Sequence, residues 1–130
     1  MSEYQIDSQF VQFKAIKWGY RALIKLLRNY INFHGADTVE KIVRRWAPVS
    51  DGNDPDRYIE IVSDRSGMHG DYEPDPYDME DMCLLATAIA YVETGVEPDM
   101  EDAIEGYTIL DDLSENTDSV YNANVTRTRA

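Results

Sequence analysis

Cleaving a glycosidic bond takes a carboxylic acid beside the scissile oxygen, often with a second carboxylate, and an apolar setting suits the acid by raising its pKa. The chain has 25 acidic residues. Glu93 differs from the rest by position: it ends the apolar stretch LLATAIAYVE, directly before Thr94-Gly95. Arg45, Trp46 and Tyr58 are candidates to line a groove beside it, because the faces of sugar rings stack on aromatic side chains. The plainer reading makes Glu93 a surface carboxylate at a helix end and Trp46 a core residue.

Other chemistries find less support. The sequence has no phosphate-binding loop, no dinucleotide glycine fingerprint and no HExxH. His34 and His69 fall at loop positions, and Cys83 lies among apolar helix residues, where an inert buried thiol is expected. Asp71, Glu73 and Asp75 have the spacing that opens a calcium loop. Pro76 then stands where that loop needs glycine, and Met82 where it needs the bidentate glutamate. Helix capping and solvation explain these acids better. No metal or other cofactor is called for.

Five helices would have to position these side chains. The spacing of Ile16, Tyr20, Leu23, Ile24, Leu27, Tyr30 and Ile31 predicts a helix over about 14–33, with Lys14, Lys17, Arg21, Lys25 and Arg28 largely on the opposite face. Gly19 in that stretch either permits a close crossing or marks the helix start, and Gly35 stops it. Thr38 caps a short helix whose apolar face is Val39, Ile42, Val43 and Trp46, ended by Pro48. Asp54 followed by Pro55 opens a third helix, with Tyr58, Ile59 and Val62 inward and Ser66-Gly67 at its end. Residues 68–75 form a loop, and Asp75-Pro76 repeats the start signal for a fourth helix over about 76–94. That helix is apolar nearly all round in its middle, which marks it as the central one. Asp99 caps a fifth, over about 100–113, with Met100, Ala103, Ile104, Tyr107 and Leu110 inward. The expectation is an all-α, compact single-domain bundle over 10–113, with an arm at 1–9 and a polar, disordered tail at 114–130. Phe10, Val11 and Phe13 are expected to be extended.

The 130 residues suit one domain. A single cysteine excludes an internal disulfide. No apolar run reaches the length of a membrane span, and the N-terminus lacks the features of a signal peptide. The net charge of −13 is uneven. Residues 1–66 hold 10 Lys/Arg against 9 Asp/Glu, whereas residues 67–130 hold 2 against 16. Phosphate contacts need clustered cations, so nucleic-acid binding across the whole surface is not expected. The acidic half serves as a solvated face, a docking surface for a basic partner, or a nucleic-acid mimic.

Asp7, Phe10, Phe13, Gly19, Arg21, Ala22, Leu27 and Tyr30, then Thr38, Ile42, the run Arg45-Trp46-Ala47-Pro48, and Tyr58 form one pattern, with Glu93-Thr94-Gly95 further on. In these residues the chain resembles a family of phage and prophage virion structural proteins with a lysozyme-like domain. The family's RNNNPGNIR segment has no counterpart here, and Ser50-Asp51-Gly52-Asn53 replaces its Glu-Asn after RWAP. The resemblance implies a lysozyme-like helical fold, a location in the virion or the host cytoplasm, and peptidoglycan or another virion protein as partner. It implies Glu93 as general acid of a glycosidase or lytic transglycosylase. If the missing segment builds part of the cleft, the fold persists without activity. Two functions follow: a lysozyme-like protein that binds or cleaves peptidoglycan, or a non-enzymatic virion component or adaptor that docks a basic partner through its acidic half.

Overall fold

A computed structural model describes residues 16–48 and 52–123, with side chains as far as Asp112. The expected arm, the extended patch at Phe10–Phe13 and the first turn from Lys14 lie outside the described residues. Those residues form five helices and no strand, the all-α architecture expected: α1 Ile16–Phe33, α2 Val39–Trp46, α3 Pro55–Ser66, α4 Met79–Thr94 and α5 Met100–Ala123.

Local chemistry sets most of the boundaries. Gly35 ends α1 at φ 69°, and the N–H groups of His34 and Ala36 both reach the Tyr30 carbonyl at 3.1 Å. Thr38 Oγ1 accepts from the Lys41 N–H at 3.2 Å, and Asp54 Oδ1 from the Arg57 N–H at 3.3 Å, with Pro55 in the first turn of α3. The fourth helix starts later than expected. Asp75 closes a turn, its carbonyl accepting from the Asp78 N–H and its side chain from the Tyr77 N–H. Asp78 is the cap, accepting from the Glu80 and Asp81 N–H groups. An aspartate followed by proline opens either a turn or a helix, and here the turn takes it. The last helix runs past the expected end at Leu113 to Ala123. Residues 114–123 contain no glycine or proline to stop it.

The central helix is α4. Met82, Cys83 and every residue from Leu85 to Ala90 are buried, Leu84 is partly so, and the helix packs on α1, α3 and α5. The most extensive pairing is α1 with α5. A Cβ at Gly106 of α5 would lie 2.7 Å from the Lys17 carbonyl oxygen, 2.7 Å from Tyr20 Cβ and 2.8 Å from the Arg21 nitrogen. The close approach therefore rests on Gly106, which the sequence reading did not single out, and Gly19 is buried within α1. The loop after α3 docks on the start of α2: Val39 N–H reaches the Tyr72 carbonyl at 3.0 Å and Glu40 N–H the Gly70 carbonyl at 2.8 Å. These bonds satisfy donors that a helix start leaves without partners.

Three expected inward residues, Ile16, Met100 and Ile104, are exposed. Arg28, expected on the solvent face of α1, is 6% exposed. Its Nε donates to the Pro76 carbonyl at 2.8 Å and its Nη2 to Asp111 Oδ1 at 3.1 Å. The guanidinium lies 4.7 Å from the Tyr77 ring centre and 5.0 Å from that of Tyr107. The acidic half folds back over this part of α1 and supplies both the carboxylate and the aromatic faces.

Candidate functional site

Three of the four residues singled out for chemistry converge. Trp46 comes from the last turn of α2, Tyr58 from the first turns of α3 and Glu93 from the last turn of α4. Their helices place them together through the burial of Val39, Ile42 and Val43 in α2, Val62 in α3 and Leu85 and Ile89 in α4. The Trp46 indole N–H lies 2.8 Å from the Tyr58 hydroxyl and 3.0 Å from Glu93 Oε2. The Tyr58 hydroxyl in turn donates to the same Glu93 oxygen.

With Glu93 ionised, the polarity of this chain of bonds follows from the groups. Indole is a donor only, a phenol hydroxyl both donates and accepts, and an ionised carboxylate only accepts. Trp46 gives to Tyr58 and Glu93, and Tyr58 gives to Glu93. Two donors on one carboxylate oxygen form a charge-assisted junction. Trp46 is 5% exposed and Tyr58 6% exposed, and Glu93 is half-buried. The aromatic rings thus belong to the core, the plainer reading for Trp46, and their polar ends are directed at Glu93.

Arg45 is separate from this junction. One residue before Trp46 in α2, it points outward; its Nη2 is 3.3 Å from His34 Nδ1, and its guanidinium lies 5.2 Å from the Tyr30 ring centre. Successive helix residues are about 100° apart around the axis, so neighbours in sequence face different surroundings.

The remaining candidates occupy other places. Cys83 is buried in α4, and desolvation pushes its thiol up to about 11. Of the acids with calcium-loop spacing, Asp75 is tied to the start of α4: its N–H donates to Asp81 Oδ2, which also accepts from the Tyr72 hydroxyl. Among the described residues no group of three or more His, Cys, Asp or Glu is placed to hold a metal ion, and no helix is long and apolar enough to cross a membrane.

Two shallow hollows flank the turn between α4 and α5. The larger, about 290 Å³, has Tyr20, Ala90, Val96 and Pro98 in its walls, and the smaller, about 200 Å³, lies across Glu97 and Pro98 from it. Neither includes Trp46, Tyr58 or Glu93. Sequence reading missed both, because the exposure of Val96 shows only in the fold.

No protein-family model matches the chain, and no solved structure matches it. A curated phage protein does. The chain is similar to Protein P5 of Pseudoalteromonas phage PM2. The two are 36% identical over 66 residues, which are 51% of this chain and 41% of Protein P5. The chain therefore matches less than half of the length of Protein P5. The expected phage relationship stands on this similarity, whereas no family model supports the lysozyme-like family.

Proposed function

We propose that this chain is a non-enzymatic phage structural or adaptor protein that docks a basic partner through its acidic half. The observation that carries this reading is the junction of Trp46, Tyr58 and Glu93. The carboxylate best suited to catalysis accepts from two protein donors, and the rings that would stack on sugar are buried. The similarity to Protein P5 supports the phage setting. On the outside, Asp99, Glu101, Glu105 and Asp112 stand exposed along α5 and at the residue before it. Charge of one sign on one surface steers an oppositely charged partner and raises its on-rate.

A second reading retains peptidoglycan as the partner. The position of Glu93 at the end of the apolar α4 favours it, with Glu93 as general acid, Trp46 and Tyr58 binding glycan, and Arg45 doing so from outside the junction, on a lysozyme-like fold. It requires the two rings to leave the core and Glu93 to carry a proton that it can donate.

The deciding experiment is incubation of purified peptidoglycan with the protein, shown folded by circular dichroism, followed by mass analysis of released fragments. The proposal expects no muropeptides. Reducing or anhydro muropeptides, lost in Glu93→Gln, would overturn it.

A further inference from the structure

The larger hollow lies where the start of α1 meets the turn from α4 to α5. Ile16, Tyr20 and Ala90 line it from the helices, and Val96 and Pro98 from the turn. Its rim is acidic: Glu97, Asp99 and Asp102. At about 290 Å³ it is at the lower limit of small-molecule pockets, a size that suits one or two inserted side chains.

Around it the surface is more apolar than burial would leave it. Val96 is 64% exposed, and Ile16 and Met100 are also exposed. The smaller hollow shares Glu97 and Pro98 as a common wall and adds Leu84, Ala88 and Met100. Apolar floor with a charged rim is the anatomy of a protein-docking surface.

The charge around the hollow selects the partner. Arg65 is held by Glu97, with its Nη2 at 2.6 and 2.7 Å from the two carboxylate oxygens, and it stacks 3.6 Å from the Tyr91 ring centre. That pair is locally neutral. Asp99, Glu101, Asp102 and Glu105 face no such cation in the described ion pairs. Desolvation chiefly, and then the neighbouring Asp99 and Glu105, push the Asp102 carboxyl upward. An incoming cation would offset the repulsion from Asp99 and Glu105. Phosphate backbones and anionic membrane surfaces would add to it.

We infer that this hollow is the docking site for a basic segment of a partner protein, which inserts an apolar side chain against Val96 and Pro98 and sets Lys or Arg against Asp99 and Asp102. This deepens the adaptor reading above and rests on it for the basic character of the partner.

The probe is a fluorescein-labelled synthetic peptide of lysine and leucine residues, amphipathic as a helix, titrated with the full chain and followed by anisotropy. Binding should weaken as salt rises. Val96→Asp, which adds negative charge but removes the apolar contact, should weaken it roughly tenfold, and Asp102→Asn should also weaken it. Glu60→Gln, an exposed acid on α3, is the control and should leave it unchanged. Equal binding by all four proteins would overturn the hollow while leaving a generally acidic docking surface intact. Absence of binding at low salt would overturn the hollow, and muropeptide release would separately overturn the adaptor reading. A dimer that Val96→Asp dissociates would assign the hollow to a second copy. Binding gained only on removal of residues 1–15 would assign it to the chain itself. Either result rejects the proposal.

Discussion

The indole nitrogen of Trp46 lies 3.0 Å from Glu93 Oε2, a bond that joins the end of α2 to the end of α4 across 47 residues of sequence. The Tyr58 hydroxyl meets the same oxygen from α3. Three helix termini are thus pinned at one carboxylate. A junction of this kind gains its worth from complete satisfaction, because removal of one member takes a hydrogen bond from each of the others.

Tyr58→Phe should destabilise the fold by about 1 kcal/mol, since the indole can still reach Glu93 directly. Glu93→Ala should cost more, about 1–3 kcal/mol, because the Tyr58 hydroxyl then loses the carboxylate it donates to and the indole N–H keeps only that hydroxyl as acceptor. Urea unfolding of the two variants, compared at equal m-value, checks the order.

Gly106→Ala raises helix propensity by about 1 kcal/mol but drives a methyl group into the backbone of α1. Backbone cannot move aside as a side-chain tip can, so net destabilisation of about 1–3 kcal/mol is expected. A fall in Tm checks this, and a rise would show that α1 and α5 separate freely.

Arg28→Lys should destabilise the protein by about 1–2 kcal/mol, although it keeps the charge. Lysine lacks the planar group that lies between Tyr77 and Tyr107 while donating to the Pro76 carbonyl. Asp111→Asn should have a smaller effect, within about 0.5 kcal/mol, because that side chain is 55% exposed and solvent screens the pair. Thermal unfolding of both variants separates packing of the guanidinium from the ion pair.

Alkaline pH should weaken the fold. The Cys83 thiol has an ordinary value of 9.0 and is pushed up to about 11 by desolvation. Between those values the unfolded chain has released a proton that the folded chain retains. Stability is therefore fully present below pH 9 and declines as pH rises toward 11. Tyr20 and Tyr107, both raised chiefly by burial from 10.0, add to the decline above pH 10. Denaturant midpoints should hold from pH 8 to 9 and fall from there to pH 11, and Cys83 should react with a thiol reagent at pH 8 only once the chain is unfolded.

The sequence revealed what depends on neighbours along the chain. Thr38 and Asp54 cap as their types predict, and the apolar middle of α4 marks it as central. Where a signal has two local solutions, position slipped: Asp75-Pro76 makes a turn and the helix waits for Asp78. Periodicity identified a face for α1 but not what covers its other side, so Arg28 was read as solvent-exposed. Trp46, Tyr58 and Glu93 could be named singly from residue type and helix position. Their meeting at one oxygen depends on how three helices pack, which no spacing within one helix encodes. Arg45, named with them as lining a groove, is one residue from Trp46, and helical rotation sends it elsewhere.

The docking of residues 70–72 on the start of α2 bears on the order in which the protein is built. With eight residues, α2 is too short to persist by itself in water. Two of its first backbone donors are met by carbonyls synthesised some thirty residues later, at Gly70 and Tyr72. During translation α2 thus emerges before its own end-piece exists and stays incomplete until α3 and the following loop have left the ribosome. The segment carrying Trp46 is committed to its final place only when the acidic half begins to arrive.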